Sequence, residues 1–128
     1  MEYSENYNKN IISPLKLEKM YIKSADFKRE VVCDKNLKIN LSHEIEENGN
    51  NKYIITLKSG ITNNDSSIMI NVVMIGEFVC SDKMLIEQNA IAIMFPYLRS
   101  YISTLTTQPD LVPIVLQPVN VLSLLDKQ

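Results

Sequence analysis

The 128 residues hold no tryptophan, one histidine, two cysteines and three glycines. Each scarcity removes a class of chemistry. With so little glycine there is no phosphate cradle, and no GxSxG, Walker or GxGxxG arrangement is present. His43 has no cysteine or second histidine near it, and Cys33 and Cys80 lie 47 positions apart with no CxxC pair, so no zinc site is indicated. Cysteines placed so read as free thiols of a reducing compartment. Long apolar runs are missing too. The longest, Ala90 to Phe95, falls far short of the roughly 18 residues a membrane-spanning helix needs. The first residues, among them Glu2, Tyr3, Glu5 and Asn6, lack the positive end and apolar stretch of a signal peptide. Together these absences predict a cytoplasmic protein that does not insert into membranes.

Excess positive charge is also lacking. Thirteen Lys and Arg against fifteen Asp and Glu give a net charge of −2, which offers no general attraction to nucleic acid. Glu44, Glu46 and Glu47 stand beside a turn and read as solvated charges, because carboxylates need a cleft to shift their pKa values for acid–base work. No cofactor, no metal and no enzymatic activity are expected. By length the chain is a single domain, residues 1–128, with the first 13 residues a flexible lead-in.

What is present begins with alternation. Leu15, Leu17, Lys19 and Tyr21 alternate with Lys16, Glu18, Met20 and Ile22, in a strand ending around Ala25 to Phe27. Leu37, Ile39, Leu41, His43 and Ile45 alternate with Lys38, Asn40, Ser42 and Glu44, a period of two. A turn around Gly49, within Glu46 to Lys52, leads to a third strand over Tyr53 to Lys58. A second turn at Asn63 to Ser66 leads to a fourth over Ile68 to Val79. Ser81 and Asp82 offer helix-capping side chains, and from Lys83 the composition turns to Met, Leu, Ile and Ala. Pro96 is expected to kink or restart that helix. Pro109, Pro113 and Pro118 mark an extended connection, and Asn120 can cap a short final helix over Val121 to Leu125. The pattern predicts an α+β fold: a four-stranded antiparallel sheet of meander type, then a long kinked helix and a short C-terminal helix.

Charge is distributed unevenly. From Asn89 to Leu125, 37 residues, the only charged side chains are Arg99 and Asp110. Such a segment implies burial on more than one side, which a small domain supplies by self-association. The plainer alternative is a neutral helix whose Ser100, Ser103, Thr104, Thr106 and Thr107 face water. Six methionines are compatible with an adaptable apolar surface or with ordinary core filling.

The run Met94-Phe95-Pro96-Tyr97-Leu98-Arg99, then Ile102-Ser103, then Leu116-Gln117-Pro118-Val119-Asn120, resembles the C-terminal signature of the SecB family of protein-export chaperones. Tyr21-Ile22-Lys23 with Phe27 resembles that family's first strand, and Ile75-Gly76-Glu77-Phe78 resembles the end of its fourth. The resemblance implies a homotetramer, a dimer of dimers with long helices inside, here through Phe95, Tyr97, Leu98, Tyr101, Ile102 and Leu105. It implies an ATP-independent holdase that binds unfolded preproteins in apolar grooves, here Leu37, Ile39 and Leu41 with Val121, Leu122 and Leu125. For each groove residue a plain core role is the competing reading. The resemblance further implies delivery to SecA, but the positions aligned with the acidic docking face are Ser24, Lys28 and Asn71, which are neutral or basic. A non-export relative dedicated to one client such as an antitoxin, or a structural or regulatory oligomeric subunit, are the alternatives.

Overall fold

A computed structural model describes residues 15–31, 36–109 and 111–116. It contains strands β1 (Lys16–Arg29), β2 (Leu37–Glu47), β3 (Lys52–Asn63) and β4 (Ile68–Val79), followed by helix α1 (Lys83–Leu105). The expected short C-terminal helix and the first 13 residues fall outside the described residues.

All strand pairs are antiparallel, and the order across the sheet is β1-β4-β3-β2. Strands β2, β3 and β4 are successive hairpin neighbours. Strand β1 departs from the simple meander: it lies beyond β4, at the edge opposite β2, in Greek-key order. Alternation tells which face a residue occupies but not which neighbour its strand takes, so this placement was not legible from periodicity.

Strand β3 shows why one face is core. Tyr53, Ile55, Leu57, Ser59, Ile61 and Asn63 are buried, and the residues between them are not. Register carries that face across to Phe78, Met74, Val72 and Ile70 of β4. Strand β1 reaches the same face by an indirect route. Its register slips between Leu17 and Lys19 and again between Ile22 and Ser24. Each bulge adds one residue, so the core-facing set runs Leu17, then Met20 and Ile22, then Ala25, Phe27 and Arg29. The strand therefore continues to Arg29 rather than ending near Phe27.

The turns close on specific hydrogen bonds. Between β2 and β3, Asn48 N donates to Lys52 O (2.7 Å), with Gly49 at φ 86° and Asn51 at φ 58°. Between β3 and β4, Ser67 donates to Asp65 Oδ1 from its amide (3.1 Å) and its hydroxyl (2.6 Å). Those bonds hold the Asp65 carboxyl below the usual carboxylate range.

Helix α1 starts at Asp82, whose side chain accepts from Met84 N (2.9 Å). The helix does not restart at Pro96 but runs on uninterrupted to Leu105. Pro96 is exposed, so the carbonyl it leaves unpaired one turn earlier can be met by water. Ile86, Ala90, Ile91, Met94, Phe95, Leu98 and Ile102 form the buried stripe, packed on the two central strands β3 and β4. Gly76 sets the closeness of that packing: a Cβ there would lie 2.8 Å from Met94 Sδ and 2.9 Å from Phe78 Cε1. Gly76→Ala is expected to lower stability by about 1–3 kcal/mol through overpacking. Gly60→Ala, whose nearest contact would be 3.4 Å, should be close to neutral. Urea unfolding of the two variants checks the contrast.

Candidate functional site

Helix α1 leaves the helix-side flank over β2 partly open. Strand β2 is an edge strand, and its helix-side residues are Leu37, Ile39, Leu41, His43, Ile45 and Glu47. Ile39 is 40% exposed and Leu37 and Ile45 are half-buried, while the backbone edge of β2 has no sheet neighbour among the described residues. The result is an apolar shelf beside an unpaired strand edge. Such an edge can add a further strand, with side chains at alternate positions meeting the shelf.

Of the groove residues expected from sequence, Ile39 and Leu37 lie on this shelf. Leu41 does not offer a surface, because at 1% exposure it is core, opposite Ser59. Val121, Leu122 and Leu125 lie outside the described residues. Ile45 belongs to the shelf although it was not singled out. Its signal was available in the period-two pattern of β2.

The expected oligomer contacts divide. Phe95, Leu98 and Ile102 are buried in the protomer's own core, so they cannot form a surface for a partner. Tyr101 and Leu105 are half-buried, and Tyr97 is exposed. A scarcity of charge marks burial but does not say against what. Here much of the buried stripe is spent on the sheet of the same protomer.

Beyond the helix, residues 111–116 form a pinned extended segment. Thr106 Oγ1 accepts from Ile114 N (2.8 Å) and donates to Ile102 O (2.8 Å), and Ser103 Oγ donates to Ile114 O (3.2 Å). Arg29 Nη1 donates to Val112 O (2.7 Å), tying the end of β1 to the same segment. Ile114 and Leu116 are buried, whereas Val112 and Val115 are exposed.

Ser24, Lys28 and Asn71 all lie on the opposite, outer face of the sheet. Register places Ser24 beside Val73, Asp26 beside Asn71 and Lys28 beside Met69, so the three residues occupy successive rows across β1 and β4. All three are exposed. Lys28 approaches Glu30 at 3.8 Å, and Lys58 approaches Glu44 at 3.6 Å. Both pairs are well exposed and hold their charges only weakly.

Cys80 is a buried free thiol that accepts from Asp82 N (3.4 Å) beside the helix cap, and Cys33 lies outside the described residues. His43 is exposed, and no cluster of three or more His, Cys, Asp or Glu capable of holding a metal occurs among the described residues. Burial pushes the Tyr53 phenol above its ordinary pKa, and Glu47 adds to the shift. No helix among the described residues is long and apolar enough to cross a membrane.

No protein-family model matches the chain. Its sequence is 31% identical over 125 residues to the uncharacterized protein MJ0357 of Methanocaldococcus jannaschii, covering 84% of this chain and 79% of the archaeal one. Among solved structures it is similar to the Mycobacterium tuberculosis Rv1957 SecB-like chaperone, determined in complex with a ChAD peptide from the Rv1956 HigA1 antitoxin. That match has a TM-score of 0.70 and covers 83% of this chain and 88% of that one, at 9% identity. At such identity the likeness is one of fold.

The division between shelf and core carries a test. Leu41→Ala is expected to cost about 2–5 kcal/mol, as a core cavity does, whereas Ile39→Ala should cost less than about 1 kcal/mol. Thermal or urea unfolding of the two variants measures both.

Proposed function

We propose, on the premise that this chain belongs to the family of the archaeal protein MJ0357 and has the fold of the SecB-like chaperones, that it is a chaperone holding unfolded polypeptide. The observation that carries the reading is the shelf along β2. Ile39 stands 40% exposed beside half-buried Leu37, with half-buried Ile45 further along past buried Leu41 and exposed His43, on an edge that no other strand pairs among the described residues. An unfolded segment laid there gains from apolar burial at about 25 cal/mol per Å² and from backbone pairing, neither of which demands a particular client sequence. Holding of this kind uses no nucleotide, metal or cofactor and makes or breaks no bond. The antitoxin peptide in the Rv1957 complex supports polypeptide as the ligand class. It also favours a second reading, service to one dedicated client rather than to many. Neutral or basic Ser24, Lys28 and Asn71 favour holding in the cytoplasm over delivery to SecA for export.

The test is an aggregation assay in nucleotide-free buffer with an unrelated, chemically denatured protein. Wild type is expected to suppress light scattering in proportion to its concentration. Ile39→Asp should bind the client about tenfold more weakly while unfolding at nearly the wild-type temperature, because a carboxylate on the shelf loses hydration when a client covers it. No suppression by wild type would refute general holding.

A homo-oligomer, by the family resemblance a dimer of dimers, belongs to the same proposal. Exposed Tyr97 is the helix residue through which it is tested. Tyr97→Glu should reduce the mass seen by light scattering with the fold intact. Leu98→Glu, fully buried in the protomer, should unfold the chain instead.

A further inference from the structure

The outer face of the sheet is divided by charge. No described element covers it, and register arranges its side chains in rows across the four strands. In the three rows nearest the β3–β4 turn lie the cations Lys28, Lys38 and Lys58 against one acid, Asp26. In a chain of net charge −2, this half-face carries a net positive charge. The arrangement is local. Toward the β2–β3 turn, the acids Glu44, Glu46 and Glu77 interleave with Lys16, Lys19 and Lys52.

The positive half is also hollow. Asn40, Gly60 and Asn71 stand side by side on β2, β3 and β4. Because Gly60 has no side chain, a trough opens over it, with a cavity of about 560 Å³ toward Lys38 and Met69 and another of about 310 Å³ toward Lys58 and Val73. The two cavities share Asn40, Gly60 and Asn71. Each asparagine offers both amide donors and a carbonyl acceptor, the complement of a peptide main chain. With a lysine rim above, the trough suits an extended segment rich in Asp or Glu.

We propose that the outer-face trough around Gly60 is a docking site for an acidic, extended peptide segment of a partner protein. It lies on the face of the sheet opposite the shelf, with Ile39 of the shelf strand reaching its lining, and it stands whether or not the shelf holds clients. Lys28 and Lys38 supply attraction to carboxylates, and their ordinary neighbours do little to neutralise them. Lys28 pairs with the exposed Glu30 at 3.8 Å and has Asp26 one row away, and Lys38 makes no ion pair among the described residues. The same features argue against nucleic acid. The chain has only two arginines, of which Arg29 faces the helix side, and these rows carry no aromatic side chain on which bases could stack.

The experiment uses fluorescence anisotropy with a labelled decapeptide alternating Glu and Thr, its Lys–Thr counterpart, and a labelled dT oligonucleotide. Three full-length variants are compared with wild type: Lys28→Glu/Lys38→Glu, the charge-matched control Lys16→Glu/Lys52→Glu at the other end of the face, and Gly60→Leu to fill the trough. The Glu–Thr peptide is expected to bind wild type and the Lys–Thr peptide to fail. Lys28→Glu/Lys38→Glu should weaken binding about tenfold, the worth of two reversed surface charges, and the control less than about twofold. Gly60→Leu should weaken binding without changing the charge. Ile45→Asp on the shelf, at a residue that lines neither cavity, should leave it unchanged. Equal losses in the two charge-reversed variants would overturn the proposal, as would binding lost only with Ile45→Asp, no binding by wild type, or dT bound as tightly through the same lysines.

Discussion

A single α-helix is about 10 Å across and neighbouring strands lie about 4.8 Å apart, so one helix covers roughly two strands of a sheet. This sheet has four. Helix α1 sits on β3 and β4, and Gly76 lets it sit close. What happens over the two flanking strands follows from that shortfall. On the β1 side, the pinned 111–116 segment is tied to Arg29. On the β2 side, Ile39 stays in contact with solvent. A protein that needed only stability would fill such a flank, since exposed apolar area beside an unpaired strand edge invites association. Among the described residues nothing fills it, which is what the proposed holding of other chains requires.

The two faces of the sheet answer to different physics. The helix side is apolar and close-packed, with Ile55, Leu57, Ile70 and Val72 fully buried, and any ligand there must gain mostly from excluded water. The outer side mixes apolar residues such as Ile54, Met69, Val73 and Ile75 with charged rows, and a ligand in its positive half gains from hydrogen bonds and Coulomb attraction, which salt weakens. Strands have a side-chain period of two, so one stretch such as Leu37 to Glu47 serves both surfaces without compromise.

Much of this was legible in the sequence, and the limits have physical causes. Strand β4 was readable to the residue, Ile68–Val79, because turn residues bound a long run of β-formers. The cap at Asp82 was readable for the same local reason. Strand β1 was harder: its apolar residues shift from odd to even and back to odd numbers at two bulges, which periodicity reads as a fading strand rather than a bent one. Its place beside β4 depends on non-local pairing that no local pattern encodes. At the site, alternation placed Leu37, Ile39 and Leu41 on one face and the family resemblance named them for the groove, but Leu41 is sealed into the core because β2 is covered unevenly along its length. The charge-poor helix was read as a partner-facing surface, yet Phe95, Leu98 and Ile102 meet their own sheet. The special role of Gly76 was not visible at all, since closeness between a helix and a strand is a tertiary fact.

The central claim is that the open flank over β2 is where an unfolded chain is held. It is tested most directly by methyl NMR of isoleucine- and leucine-labelled protein, titrated with a permanently unfolded, reduced and alkylated polypeptide. The account predicts that Leu37, Ile39 and Ile45 shift and broaden first, with Ile55 and Ile70 of the buried sheet little changed. Shifts confined to the outer face, at Ile54 and Ile75, or no shifts at saturating polypeptide, would contradict it.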